Sequence, residues 1–235
     1  MKLRKHNSKK QVSDSERRAL NNTQTKVICV HGYLSHGTQM YLIKRRLERK
    51  HGMHVHLFSY PSVRGTLDEN AAALTNYIRV SGADEVHIIG HSLGGVLALR
   101  MYANNPGFLP GRVVCLGSPL SGSRAANFMN EFEWTKDIIG KSVPDAIIHQ
   151  TANDWASHVS NERDVGVIAG TVSLGLTRLM VNFEEENDGL ISVSETRIAG
   201  VTDHLTSPVS HIGMLVSANV VDQSAAFIKN GSFLR

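Results

Sequence analysis

The sequence Gly90-His91-Ser92-Leu93-Gly94 has the spacing G-x-S-x-G, which puts a serine between two glycines. A serine hydroxyl is a weak nucleophile at neutral pH, and it needs exposure, a partner base and donors for an oxyanion. A β-rich apolar run precedes the motif and small residues follow it. A tight turn from a strand into a helix supplies exposure and donors together. We therefore predict a nucleophile elbow with Ser92 as the nucleophile; an ordinary glycine-flanked turn is the alternative.

An oxyanion at this serine needs two backbone N–H donors. Leu93 follows the nucleophile and begins the predicted helix, so its N–H is the first candidate. The second candidate is the N–H of Tyr33, in the loop after the first predicted strand at residues 26–30. Because glycine allows close approach of the backbone, we also expect His31 and Gly32 to line the substrate site.

An acid and a base must complete the activation of the serine. Asp188 lies in an Asn-Asp-Gly turn after a predicted strand. His211 is late in the chain, where a turn meets a predicted terminal helix, and the order serine, acid, histidine fits one known arrangement of such groups. We predict Asp188 as the acid and His211 as the base. Asp164 or Asp203 as the acid and His204 as the base stay open.

Patterns typical of strands and helices alternate along the chain. Strand patterns occupy residues 26–30, 53–60, 86–90, 112–117 and 165–170, and helical patterns occupy residues 38–50, 66–80 and 95–104. This alternation predicts an α/β fold, with a mostly parallel sheet covered by helices on both faces. Ser92 would lie at the carboxyl end of its strand, where open α/β sheets bind ligands.

Residues 124–164 show no clear strand pattern and contain aromatic residues in short helical fragments. We predict a small helical cap over the site, with Trp134 contacting substrate; packing within an ordinary helical layer is the alternative. The loop at residues 118–123 follows a strand on the same sheet edge as the serine, and Leu120 is its predicted lining residue.

Composition and charge limit the remaining choices. With 235 residues, the chain suits one domain, predicted at residues 26–235. The net charge of +4 comes from residues 1–26, which hold 8 Lys and Arg against 2 Asp and Glu. We predict a disordered basic tail at residues 1–25, mainly a solvated extension, with weak contact to a membrane surface left open and no nucleic-acid partner.

Neither a secretory signal nor a membrane-spanning run is apparent in the sequence. Cys29 and Cys115 each lie in an apolar run, which indicates two buried thiols and not a disulfide framework. Neither cysteine has the neighbours of a metal ligand or an activated thiol. The expected location is the cytoplasm.

Taken together, the His31-Gly32 pair, the elbow, the Asn-Asp-Gly turn and Ser210-His211 resemble the α/β-hydrolase superfamily, specifically small bacterial lipase-like and esterase-like members. The resemblance spans about residues 26–222. It implies a serine triad and no organic cofactor, and it does not fix the substrate. We expect a small acyl ester or lipid as substrate and no metal among the site residues, with bound calcium elsewhere left open. The apolar residues at 124–164 and 172–183 then favour medium-chain acyl groups.

This resemblance leaves the reaction open among three classes. Hydrolysis of a carboxylic ester through an acyl-serine is the leading hypothesis. An acyltransferase would use the same residues with another acceptor. A non-catalytic binding module on the same scaffold is the third hypothesis.

Overall fold

The strand-forming segments assemble into one parallel sheet. The computed structural model describes residues 24–130, 152–174 and 184–235. The strands are β1 (Thr25–Val30), β2 (Val55–Phe58), β3 (Glu85–His91), β4 (Val113–Leu116), β5 (Val165–Gly170) and β6 (Asp203–Ser207). Their order in the sheet is β2-β1-β3-β4-β5-β6, and every neighbouring pair is parallel.

The order of the strands changes direction at β1, which lies between β2 and β3. In the register, Val30 at the end of β1 is opposite both Phe58 and Gly90. The loops that follow β1 and β3 therefore leave the sheet side by side. Such a reversal opens a crevice at the carboxyl ends of the strands, which is where ligands bind in this kind of sheet.

Helices cover both faces of the sheet. They are α1 (Tyr41–His51), α2 (Leu67–Val80), α3 (Leu93–Ala103), α4 (Arg124–Asn130), α5 (Asn153–Glu162) and α6 (Ala218–Asn230). Buried residues of α2, α3 and α5 form one apolar cluster with the sheet, and those of α1 and α6 form a second cluster on the other face. The predicted α/β class is therefore confirmed. Strands buried on both sides explain why their sequences are continuously apolar.

Local sequence signals set the helix ends. Helix α1 is followed by the capping residue Gly52, whose φ of 68° is the left-handed conformation that glycine adopts without a steric penalty. Helix α2 is preceded by the capping residue Thr66. Its hydroxyl accepts a hydrogen bond from Glu69 N, while the Glu69 carboxylate accepts one from Thr66 N. This reciprocal pair satisfies two N–H groups that the helix itself leaves without acceptors.

Strand β6 is absent from the prediction. Its sequence, Asp-His-Leu-Thr-Ser, is mostly polar, and it pairs with β5 at the edge of the sheet. An edge strand needs fewer apolar residues than a central one, so hydropathy carried little signal here. Helix α5 contributes Ala156 and Val159 to the main core, so this end of the 124–164 segment belongs to the helical layer.

Three predictions fall partly or wholly outside the described residues. They are the basic tail at residues 1–25, the centre of the predicted cap with Trp134, and most of the apolar segment 172–183.

The two cysteines are free and buried on opposite faces of the sheet. Burial raises the pKa of both the Cys29 and the Cys115 thiol to about 12, so neither is an activated nucleophile. Within the described ranges, no helix combines the length and the apolar character that a membrane crossing requires.

Candidate active site

Ser92 occupies a sharp turn between β3 and α3. Its φ of 53° and ψ of −125° are strained for a residue with a side chain, at a cost of about 1–3 kcal/mol. The turn is held by a hydrogen bond from Ser92 N to Leu116 O, 2.8 Å long, which ties it to the end of β4. This is the geometry of the predicted nucleophile elbow.

The glycines around Ser92 are required by close packing. A Cβ on Gly94 would overlap the carbonyl oxygens of Val30 and His31, because α3 begins directly against the end of β1. A Cβ on Gly90 would overlap the backbone of Gly94. The strand and the helix can therefore approach each other this closely only because side chains are absent at these positions.

The loop after β1 lies against the nucleophile. A Cβ built on Gly32 would be 2.9 Å from Ser92 Cβ, and Tyr33 is the next residue along that loop. Leu93 is the first residue of α3, where a helix leaves its N–H groups without intrahelical acceptors and carries partial positive charge. Both predicted oxyanion donors thus belong to backbone segments next to Ser92.

Two predicted substrate contacts are corrected by burial. His31 has 0% exposure, its Nδ1 donates to Gly32 O at 2.8 Å and its Nε2 accepts from Tyr60 N at 3.2 Å. Burial also lowers the pKa of His31, which favours the neutral ring that this pattern needs. Leu120 has 0% exposure as well and packs in the core. His31 shapes the loop and Leu120 supports the sheet, so neither side chain faces a substrate.

His211 and Asp188 form a buried pair. His211 Nδ1 is 2.7 Å from Asp188 Oδ2, and the two residues are 7% and 1% exposed. A carboxylate on Nδ1 fixes the tautomer with a proton on that atom and leaves the Nε2 lone pair free to take a proton. The structure thus brings the predicted acid and the predicted base into contact, although they are 23 residues apart in the sequence.

Asp188 is itself held by the backbone of its turn. Its Oδ1 accepts hydrogen bonds from Leu190 N at 2.9 Å and Ile191 N at 2.7 Å. Its carbonyl oxygen accepts from His211 N at 2.9 Å. Oδ1 is therefore occupied by the turn, and Oδ2 is directed to the imidazole.

The pair lies at the same end of the sheet as Ser92, where the strands have their carboxyl ends. A Cβ built on Gly117, just after β4, would be 2.9 Å from Asp188 Oδ2 and 3.2 Å from His211 Nδ1. His91, the residue before the serine, contacts His211 directly: its Nε2 is 3.0 Å from His211 O, and the two ring centroids are 4.7 Å apart. The three predicted catalytic residues therefore share one corner of the fold.

The alternative acids and base have partners elsewhere. Asp164 pairs with Arg112 Nε at 2.9 Å. Asp203 accepts from Phe233 N at 2.9 Å and pairs with Arg235. His204 Nε2 contacts Thr196 Oγ1, 2.9 Å away, and burial lowers the pKa of His204 to about 4.

A cavity of about 350 Å³ opens beside the loop that follows β1, between residues 34–35 and residues 60–64. It lies on the β2 side of the elbow, away from the 118–123 loop that was expected to line the site. Across the described part of the chain, no three His, Cys, Asp or Glu side chains gather as metal ligands.

Sequence reasoning missed two contacts around this corner. One is the bond from His91 to His211 O, for which the sequence holds no signal because the partners are 120 residues apart. The other involves Ser192 and Glu195, which have the spacing S-x-x-E of a capping box. That spacing was visible and could have marked Glu195 as a structural acid near the Asp188 turn.

The chain matches the sequence model of the Alpha/beta hydrolase family over residues 27–185. This is more than half of its length, and the protein belongs to that family. The match ends before Asp188, so the assignment of the acid and base rests on geometry. No curated protein matches the chain.

Solved structures of bacterial lipases and esterases share the fold. The mature lipase BlEst2 of Bacillus licheniformis has a TM-score of 0.72 at 17% identity, covering 90% of this chain and 94% of that one. A lipase-esterase related protein of Clostridium acetobutylicum has a TM-score of 0.58 at 15% identity, covering 91% and 96%. The phospholipase PlaB of Legionella pneumophila has a TM-score of 0.60 at 15% identity, covering 86% and 57%.

Proposed function

We propose that the protein is a serine hydrolase that cleaves carboxylic esters through an acyl-Ser92 intermediate. The observation that carries this proposal is the buried 2.7 Å contact between His211 Nδ1 and Asp188 Oδ2, at the sheet edge where the strained Ser92 turn lies. The family and its lipase and esterase relatives support the same reaction class.

In the proposed reaction, Ser92 Oγ attacks the ester carbonyl while His211 Nε2 accepts the hydroxyl proton. Asp188 keeps the imidazole in the required tautomer and stabilises the imidazolium. The N–H groups of Tyr33 and Leu93 hold the oxyanion of the tetrahedral intermediate. His211 then returns the proton to the leaving alcohol, and a water molecule activated by the same imidazole releases the acid.

Labelling with a fluorophosphonate probe tests this proposal. An activated Ser92 should attack the phosphorus, displace fluoride as the P–F bond breaks and lose its proton to His211, giving one adduct that peptide mass spectrometry locates at Ser92. Ser92→Ala should abolish both the adduct and the hydrolysis of a short p-nitrophenyl ester while circular dichroism shows a retained fold. Ester hydrolysis by the alanine variant at the wild-type rate would contradict the proposal.

Product analysis separates hydrolysis from acyl transfer. With an alcohol added, a hydrolase should give mainly the free acid, whereas a transferase should give mainly the new ester. The same assay can compare esters whose acyl chains differ in length. We expect esters of medium-chain acids to have a higher kcat/KM than acetate esters. Absence of any fluorophosphonate adduct on folded protein would favour the binding-module alternative.

A further inference from the structure

Glu195 is a buried acid outside the proposed triad. It is 6% exposed, and its Oε2 accepts hydrogen bonds from Ser192 N at 2.8 Å and Ser192 Oγ at 3.1 Å. Glu195 N donates in return to Ser192 Oγ at 3.3 Å. The two residues therefore lock each other, and a carboxylate with this many donors is costly to remove.

Ser192 closes the turn that presents Asp188. It forms an isolated antiparallel bridge with Asn187, while Asp188 N donates to Ile191 O at 3.0 Å inside the turn. Glu195 thus fixes one end of the turn whose middle orients the Asp188 carboxylate. A shift of this end would move Asp188 relative to His211.

Arg124, at the start of α4, holds Glu195 from the other side. Glu195 Oε1 accepts hydrogen bonds from Arg124 N and, at 3.4 Å, from Arg124 Nε. Arg124 Nη2 donates to Ser192 Oγ at 2.9 Å and also to Glu185 Oε1. The guanidinium therefore compensates the charge of the buried acid. It also clamps the turn by binding Glu185, two residues before the bridge, and Ser192 at the end of it.

We propose that Glu195 and Arg124 are positioning residues that keep the Asp188 carboxylate aligned with His211 Nδ1. They act through the turn, because the hydrogen bonds of the Glu195 carboxylate within the described residues go to Ser192 and Arg124. The consequence for catalysis rests on the function proposed above. The alignment itself is a property of the folded protein and can be measured without a substrate.

The opposite charges of the two residues separate positioning from a simple field effect. If each residue acted only through the electrostatic effect of its charge, Glu195→Gln would destabilise the His211 imidazolium and Arg124→Gln would stabilise it. The acid limb of the kcat/KM profile against pH would then move to lower pH in the first variant and to higher pH in the second. If the two residues act by positioning, either substitution weakens the contact between Asp188 and His211. The acid limb of the kcat/KM profile then moves to lower pH in both variants.

The experiment compares the full-length wild type with Glu195→Gln, Arg124→Gln and the double variant on one ester. We expect kcat to fall roughly 10- to 100-fold in each single variant, with KM within about twofold. The double variant should lose little more than the worse single one, because both changes break the same clamp. Limbs that move in opposite directions, or losses that multiply, would overturn the proposal.

Two additions keep the test decisive. Asp203→Asn removes the charge of a buried acid at the start of β6. It should change stability but leave the acid limb of the kcat/KM profile where it is in the wild type. Should Glu195→Gln not fold, Ser192→Ala removes only the hydroxyl, which contacts Glu195, Arg124 and Ser194, and should give the same shift in weaker form.

A proton NMR measurement addresses alignment even if no ester is cleaved. The His211 Nδ1 proton should give a downfield signal, identified by its loss in Asp188→Asn. In Glu195→Gln and in Arg124→Gln this signal should broaden or disappear. A signal as sharp as in the wild type would reject the positioning role, whereas a missing fluorophosphonate adduct on wild-type protein would reject only the proposed function.

Discussion

The two halves of the site are held in different ways. The elbow at residues 90–95 is fixed by shape: glycines pack against backbone atoms and Ser92 keeps a strained φ of 53°. The Asp188 turn is fixed by hydrogen bonds and charge, with Oδ1 bound to two N–H groups and Glu195 bound to Arg124. One half has no room for added atoms, and the other depends on groups of defined charge.

This difference teaches which changes each half should tolerate. A substitution that keeps volume but removes charge should affect the acid turn and spare the elbow. A substitution that adds one methyl group without charge should do the reverse. Variants of these two kinds therefore sharpen the contrast when their effects stay separate, and they break it when the effects mix.

The largest expected effect is that of Asp188→Asn, which changes charge at nearly constant volume. The amide cannot hold His211 in the required tautomer or stabilise the imidazolium, so kcat should fall by roughly 10² to 10⁴ while KM barely changes. Steady-state kinetics on a purified ester substrate measures this loss, with folding checked by circular dichroism.

Asp203→Asn is the matched control for this change. Asp203 accepts from Phe233 N and pairs with Arg235, so its loss should lower the melting temperature and leave kcat near the wild-type value. If Asp203→Asn lost turnover while Asp188→Asn kept it, the acid would have been assigned to the wrong turn.

Gly94→Ala is the opposite kind of change, one methyl group without charge. The new Cβ would overlap the carbonyl oxygens at the end of β1, so α3 must move away from the sheet. We expect a loss of about 3 kcal/mol in the free energy of unfolding, and little fluorophosphonate labelling of Ser92. Urea denaturation and labelling of the same preparation provide the two readouts.

Gly107→Ala controls for the backbone effect of an added methyl group. Gly107 has a positive φ of 73°, which Gly94 does not have, but a Cβ at Gly107 meets nothing within 4 Å. Its cost should stay near the 1 kcal/mol of left-handed strain, with full labelling. Equal stability and labelling in the two variants would remove the argument from shape.

The same contrast explains what the sequence could predict. The elbow and strands β1 to β5 carry signals that can be seen in a short stretch of sequence, namely the glycine spacing around Ser92 and the apolar runs. The polar strand β6 carries no such signal and was not expected. Asp188 was predicted as the acid from its Asn-Asp-Gly turn and its place in the chain order, and the structure places its carboxylate against His211. The support of this turn by Arg124 was not predicted, because that contact joins residues 71 positions apart.

Burial was the other quantity that the sequence did not supply. His31 was expected to contact substrate, but it stacks on Tyr60 with its ring centroid 4.4 Å away and uses both ring nitrogens inside the protein. Histidine beside a glycine fits both a lining and a supporting role in sequence. Only the position of β2, which brings Tyr60 over the loop, decides between them.

The smallest of these effects concerns His91, where the elbow meets the acid and base half. Burial lowers the pKa of His91 from 6.5 to about 3, so the ring stays neutral and its Nε2 donates to His211 O at 3.0 Å. At a pH between these two pKa values, the His91 ring binds a proton in the unfolded chain but not in the folded protein. The unfolded state is then favoured as pH falls, so stability is lost on acidification.

From pH 7.5 to pH 4.5 this single group should remove roughly 2–3 kcal/mol from the free energy of unfolding. His91→Gln lacks the titrating ring, so its stability should fall less over the same range, although it starts lower at pH 7.5. His158→Gln, on the exposed side of α5, should follow the wild type at both pH values. Urea denaturation at the two pH values measures all three proteins. An equal loss in the wild type and His91→Gln would mean that His91 is accessible to protons in the folded state, and that the elbow is less closely packed against the His211 loop than its contacts indicate.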